Sequence, residues 1–302
     1  MRILITGISG FVGGRLADRL AGEGHDLHGL SRDPDRRRPG VVMHEADALS
    51  GLGLAGALDG VEVAYYLIHS MEASADGDFA DRDRRAAEHF AEAAAAAGVR
   101  RIVYLGGLVP PRPSPSAHLR SRQRVERVLL DAVPDSVTLR ASIVIGSGSR
   151  SFRFLVHLVE RIPLIALPSW RDHRTQPLDE RDMLEYLVAA GVADVGGRTL
   201  DIGGPDTLSY GEMIQRIAEL MLVRRPSVRI GFALTPWTSA VAARIAGEEL
   251  ALVRPLMESL DGDLLADDAA ARGLLGVRLH GYDAAVEHAL RRWELREPLR
   301  AR

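Results

Sequence analysis

The chain has 302 residues, 46% apolar and 26% charged, with a net charge of −3; these are the proportions of a globular protein able to hold one large core, or one core with a smaller lobe. So small a net charge gives no general electrostatic reason to expect nucleic acid, and there is no apolar run of about 20 residues to span a bilayer. Cysteine is absent and all 38 basic residues are arginine, which excludes disulfides, thiolate chemistry and any side-chain amine for a Schiff base or for lowering a nearby tyrosine's pKa.

No signal-peptide pattern precedes Met1-Arg2-Ile3, so a cytoplasmic location is expected. Arg2-Ile3-Leu4-Ile5 is an apolar run of strand length, and Gly7, Gly10 and Gly13 follow it. A helix pattern begins next, with Phe11, Leu16 and Leu20 on its apolar side. The first glycine permits a tight turn, the second lets backbone approach a pyrophosphate, and the third lets helix and strand pack closely. The helix's free N–H groups and positive end then face the phosphates. A glycine triplet means little alone, but this one leaves a strand and opens a helix, as dinucleotide binding requires.

His25 to Ser31 reads as the second strand, ending in Ser31-Arg32. An acidic residue at that strand end would bind the 2′-hydroxyl of NAD and repel a 2′-phosphate, whereas Ser-Arg favours NADP(H). Arg36, Arg37 and Arg38 add to the local positive field. Val41 to Glu45 reads as a third strand followed by Asp47 and Ala48, and Asp47 has the alternative role of capping the next segment. Val61 to Ile68 is the fourth strand; His69 at its carboxyl end would sit in the ligand crevice of an open α/β sheet, as proton donor or loop residue.

Phe79 to Ala97 is an alanine-rich helix closed by Gly98. Arg101 to Leu105 is the fifth strand, ending at Gly106-Gly107. A proline-rich loop leads to a helix carrying His118-Leu119-Arg120-Ser121-Arg122, on which Arg120, Arg124 and Arg127 read as a solvated face with Glu126 as a local ion-pair partner. Val137 to Ile145 makes the sixth strand. The β-α alternation specifies a doubly wound parallel sheet with helices on both faces.

Past Gly146 the pattern changes. Phe152 to Ile162 is helical, Asp179 is placed to cap a further helix, Arg198 to Ile202 is a strand, Ser209-Tyr210-Gly211-Glu212 opens a capped helix, and Tyr282 to Trp293 is the last helix. The expected division is a nucleotide-binding domain over 1–146, with 178–203 returning to it. A smaller α/β lobe, over 147–177 and 204–302, would then cover the substrate.

Thr6-Gly7-x-x-Gly10-x-x-Gly13 and this element order resemble the extended and atypical branches of the short-chain dehydrogenase/reductase superfamily. Leu139 to Gly146, Gln176 to Asp179 and Asp201 to Pro205 fall where that group carries similar segments, so the resemblance covers essentially the whole chain. It is nearest to a bacterial atypical group of NAD(P)H-binding proteins related to NmrA-like sensors and to the NADPH-binding accessory subunit of respiratory complex I. The resemblance implies a cofactor site of Thr6, Gly7, Ser9, Gly10, Phe11, Val12, Gly13, Ser31, Arg32, Asp47, Ala48, His69 and Arg122, with Asp47 at the adenine amino group.

Catalytic members of the superfamily carry a serine after the fifth strand and Tyr-x-x-x-Lys on the next helix, where the ammonium lowers the phenol's pKa for proton exchange with a carbonyl. Here glycine stands near the serine place, His118 at the tyrosine place and Arg122 at the lysine place. His118, Arg122 and His69 are therefore the candidate catalytic residues. The reading is an NADPH-dependent oxidoreductase acting on a small hydrophobic carbonyl, imine or conjugated alkene. The alternatives are a non-catalytic NADP(H)-binding sensor or assembly module, and an epimerase or dehydratase. A small-molecule ligand and a homo-oligomer are the expected partners.

Overall fold

The computed structural model describes residues 1–33, 35–68, 79–110, 117–161, 165–167, 169–225, 227–229 and 262–299. Seven parallel strands form the main sheet: β1 (Arg2–Ile5), β2 (Asp26–Ser31), β3 (Val42–Glu45), β4 (Val63–Tyr66), β5 (Arg101–Gly107), β6 (Val137–Ala141) and β11 (Arg198–Ile202). Their order across the sheet is β11-β6-β5-β4-β1-β2-β3. The order reverses at β1, which lies between β2 and β4, and this reversal opens a crevice at the carboxyl ends of those strands.

Helices α1 (Phe11–Leu20) and α6 (Glu180–Val192) cover one face. They share a core with Ile3, Ile5, Leu16, Tyr65, Val103 and Leu187. Helices α2 (Leu54–Leu58), α3 (Phe79–Ala96) and α4 (Ala117–Ala132) cover the other, around Leu4, Tyr66, Phe90, Tyr104 and Leu129. The third core gathers α5 (Arg150–Arg161), α7 (Tyr210–Leu220) and α9 (Tyr282–Glu294) around Phe152, Met213, Val286 and Trp293. Among the described residues the remaining α-helix is α8 (Ala269–Leu275), and β8 (Ile165–Leu167) and β9 (Arg174–Thr175) are short strands outside the main sheet.

Local chemistry sets the ends as the sequence specifies. Gly98 takes φ +71° after α3, and Val99 N–H returns to the Ala94 carbonyl. Asp179 caps α6 by accepting from Arg181 N at 2.7 Å, and Ser209 with Glu212 forms a reciprocal capping box on α7. The sixth strand departs from the single run expected over 137–145. It stops at Ala141, and β7 (Val144–Ile145) pairs instead with β10 (Leu178–Asp179). The break lies where Ser142 Oγ donates to the Gln176 carbonyl, drawing the chain out of the main sheet. Glu126 differs too. It is buried and binds Arg140 of β6 at 2.7 and 2.9 Å and accepts from Thr199 of β11 at 3.0 Å, rather than pairing on its own helix. Among the described residues no helix is long and apolar enough to cross a membrane.

At the amino end of β5, Arg101 is nearly enclosed, with its side chain 3% exposed. Its guanidinium grips Asp135 through Nε and Nη2 at 2.9 Å each and donates to the carbonyls of Ala190 and Ala193 at 2.9 and 2.6 Å. Arg101→Met is expected to cost about 3 kcal/mol in urea unfolding at pH 7, because it takes a buried donor from two carbonyls and leaves the Asp135 carboxylate to Arg100 alone. Arg101 foremost holds the Asp135 carboxyl below the usual carboxylate range. That contribution is complete above about pH 4, the unfolded value, and is lost as pH falls through the lower folded value, so the wild-type advantage should shrink there.

Candidate functional site

The carboxyl end of β1 leads directly into the glycine turn. Gly7 has φ +61°, and a Cβ there would stand 2.8 Å from the Leu67 carbonyl oxygen; a Cβ on Gly13 would stand 2.4 Å from the Gly7 oxygen. Neither position admits a side chain. Gly10 N–H donates to Gly7 O at 2.8 Å, tightening the turn, and Gly10 caps α1 in an extended conformation with no side-chain acceptor. The first turn of α1 carries no acidic residue. Bare backbone and the amino end of a helix therefore face outward, which fits the diphosphate of a dinucleotide.

Thr6 is fully buried and its Oγ1 accepts from Leu67 N at 2.8 Å, so it ties the ends of β1 and β4 together. Ser9, Gly10 and Phe11 line a cleft of about 370 Å³ that also includes Arg15, Arg38, Gly148 and Arg296. Val12 packs against the α1–α6 core. Ser31 Oγ accepts from Asp33 N at 3.0 Å, and Arg32 is exposed at the end of β2. Asp47 Oδ1 accepts from Leu49 N at 3.1 Å in a turn that caps its own segment, and Ala48 beside it is buried. His69 lies outside the described residues.

On α4, His118 and Arg122 stand one turn apart. Arg122 Nη1 donates to the Tyr104 hydroxyl at 3.4 Å, and that phenol is buried on β5. Burial foremost raises the Tyr104 pKa, and Arg122 opposes the shift. Burial, and then the Arg122 cation, push the His118 pKa down to about 4, so its imidazole is neutral at pH 7. The place of the missing serine is tightly packed: a Cβ on Gly106 would meet the Tyr104 ring at 3.1 Å, and one on Gly107 would meet Leu119 at 3.3 Å, so either neighbour would have to give by a few tenths of an ångström. This group can donate hydrogen bonds from a guanidinium and a neutral imidazole, but it holds no acidic imidazolium near neutrality. Among the described residues no cluster of His, Asp or Glu is arranged to hold a metal.

The structure also brings forward residues that the motifs leave unassigned. Gly146 and Gly148 admit the Phe11 ring, against which their Cβ atoms would fall at 2.7 and 2.4 Å. Arg15 and Arg296 reach the same cleft; nothing in the local sequence of either marks it, since their meeting depends on how α9 docks.

Residues 3–119 match the NAD dependent epimerase/dehydratase family. This match agrees with the resemblance of the motifs to the extended branch of the short-chain dehydrogenase superfamily. Over 79% of its length the chain is 24% identical to a mitochondrial NADH dehydrogenase alpha subcomplex subunit 9 of Arabidopsis thaliana, of which it covers 62%. It is 27% identical over 85% of its length to an uncharacterized protein of Mycobacterium tuberculosis, of which it covers 27%. The chain thus spans less than two thirds of the length of either relative. A Streptomyces griseus (4-alkanoyl-5-oxo-2,5-dihydrofuran-3-yl)methyl phosphate reductase is 27% identical over 72% of this chain and 73% of its own. The fold follows UDP-glucuronic acid 4-epimerase from Bacillus cereus in complex with NAD, with TM-score 0.75 and 15% identity, covering 98% of this chain and 100% of that one. It equally follows an NAD-bound short-chain dehydrogenase/reductase superfamily protein of Agrobacterium tumefaciens, with TM-score 0.73 and 19% identity over 98% of both.

Gly13→Ala should lower the melting temperature by several degrees and abolish dinucleotide binding in calorimetry, since the new methyl must push helix from strand. His118 should titrate by NMR at about pH 4. Its neutral form is the one the fold favours, so the stability it adds is complete above about pH 6.5, the unfolded value, and is lost as pH falls toward 4. The melting temperature of His118→Phe should therefore change less over that interval than that of the wild type.

Proposed function

We propose that the chain is an NADP(H)-dependent reductase of a small, hydrophobic, conjugated alkene, with an activated carbonyl or imine as the next substrate classes. The observation that carries this reading is the neutral His118 beside Arg122 in the place of Tyr-x-x-x-Lys. Ketone reduction builds charge on an alkoxide oxygen and needs an acid at that oxygen. Reduction of a carbon–carbon double bond conjugated to a carbonyl leaves an enolate instead. A hydrogen bond stabilises that anion until water protonates its carbon. The Streptomyces reductase is named for a substrate whose ring double bond lies next to carbonyl groups, and this resemblance supports the same class.

The reduced nicotinamide, when bound, supplies the hydride. The glycine turn holds the diphosphate through backbone N–H groups. Arg122 keeps one donor on Tyr104 and has four others for the nicotinamide ribose. The His118 imidazole N–H donates to the developing enolate oxygen without giving up its proton. The exposed Arg32 at the end of β2, with no acidic residue at Ser31-Arg32, supports NADP(H) over NAD(H).

A second reading, a non-catalytic dinucleotide-binding module, is favoured by the packed serine place at Gly106 and by the likeness to the plant NADH dehydrogenase subunit. Two measurements separate the two. Calorimetry should give at least tenfold tighter binding of NADPH than NADH, and Arg32→Asp should reverse the order. With an α,β-unsaturated carbonyl probe and NADPH, kcat should be level between pH 6 and 8 and fall about 100-fold or more in His118→Phe, the loss of one oxyanion donor. No turnover on any alkene, carbonyl or imine probe despite tight NADPH binding would establish the module, and a rate that rises as pH falls through 6.5 would return His118 to the role of acid.

A further inference from the structure

The cleft beside the glycine turn is bordered by three guanidinium groups from three separate parts of the chain: Arg15 from α1, Arg38 from the loop before β3, and Arg296 from the segment after α9. Two carboxylates answer them. Arg38 binds Asp18, which is 67% exposed, and also donates to the Gly14 carbonyl at 2.6 Å. Arg15 lies 3.8 Å from Glu180, but that carboxylate is shared with His288 at 3.3 Å and Arg292 at 3.9 Å. Arg15 Nη2 is buried and has no hydrogen-bond partner, and among the described residues Arg296 has no ion pair. Positive charge is therefore in excess in a half-enclosed space, with a donor left unused. Such an arrangement is stabilised when an anion enters.

The segment carrying Arg296 is held in place before any ligand arrives. Trp293 is buried in the α5–α7–α9 core, the Arg153 guanidinium stacks over its ring at 4.2 Å from the centroid, and Arg153 then pairs with Glu297 at 2.8 Å. The backbone N–H groups of Arg296 and Glu297 both return to the Trp293 carbonyl, at 2.8 and 3.1 Å. Two neighbours of Arg296 are thus fixed, and its own side chain is left to the cleft.

We infer that Arg296 binds, together with Arg15 and Arg38, the phosphate groups on the adenosine side of the dinucleotide, so that the segment after α9 is part of the nucleotide site. This inference rests on the dinucleotide reading proposed above. The glycine turn supplies backbone donors from one side of the phosphates, and the three arginines supply charge-assisted donors from the other. Because the α5–α7–α9 core carries Arg296, binding at the turn also fixes that core against α1.

The test titrates the wild type, Arg296→Gln and Arg38→Gln with NADPH, NADH and inorganic pyrophosphate by calorimetry, each at low and high salt, alongside melting curves without ligand. Arg296→Gln should melt like the wild type, since it removes no ion pair, and should bind NADPH about tenfold or more weakly, a loss that narrows as salt rises. Hydrogen exchange at residues 293–299 should slow when NADPH binds the wild type and stay unchanged in Arg296→Gln. If Arg296→Gln and Arg38→Gln both bind NADPH like the wild type, the arginine clamp is overturned and the dinucleotide reading stands. Should the wild type bind pyrophosphate through Arg296 and no dinucleotide, the dinucleotide reading is overturned and the cleft remains an anion site. Binding of neither ligand to the wild type overturns both.

Discussion

The contact on which the rest of the structure depends is the approach of Gly13 to the Gly7 carbonyl, where even a methyl group would stand 2.4 Å from oxygen. With that approach made, α1 lies flat on β1. Its apolar side, Leu16, Ala17 and Leu20, then reaches the core shared with α6. The same placement directs the other side of α1 outward, carrying Phe11 toward Gly146 and Gly148 and Arg15 toward Glu180. One backbone clearance thus sets both the phosphate-facing turn and the surface on which the α5–α7–α9 core rests. Because α1 is shared by cofactor turn and core, dinucleotide binding and lobe packing cannot be varied independently here.

The chemistry of the site follows from where charge is allowed to stand. Replacing lysine by arginine at 122 keeps the cation but changes its geometry, since a planar fork can use Tyr104 as one partner and still present donors elsewhere. The price is paid at His118, whose protonated form is disfavoured by burial and by that cation together. A tyrosine at 118 would meet the opposite effect, because a nearby cation favours the phenolate. The pair therefore suits reactions that need a hydrogen-bond donor more than a proton source. Restoring the serine alone would not rebuild the usual triad, since histidine and arginine stand at the tyrosine and lysine places.

Much of the main sheet was legible because its signals are local. The glycine spacing after β1, the caps at Gly98, Asp179 and Ser209, and the apolar runs of β1, β4 and β5 each act within a few residues. The break in the sixth strand was not, since Ser142 leaves the sheet to meet Gln176, 34 positions away. Glu126 likewise reads as a helix-surface partner until β6 and β11 arrive beneath it with Arg140 and Thr199. Asp47 shows the limit from the other side: its turn-capping bond to Leu49 was readable, while any contact with an adenine ring needs a surface that several strands build together. Arg296 carried no local signal at all, because its place is set by the docking of Trp293 and Arg153.

Glu180 joins these threads. It opens α6 immediately after a buried capping aspartate, stands 3% exposed, and faces Arg15, His288 and Arg292 with one oxygen lacking any hydrogen-bond partner. A helix amino end favours this carboxylate, yet burial would cost more than that gain unless cations surround it. Those cations come from α1 on one side and from α9 on the other, so the carboxylate bridges the nucleotide-facing helix and the last helix through charge. No apolar residue could take that position without leaving Arg15, already short of a partner, buried beside Arg292 and Arg296. The excess of arginine around Glu180 is then a property of the joint itself, and an anionic ligand in the adjoining cleft acts on that joint from outside.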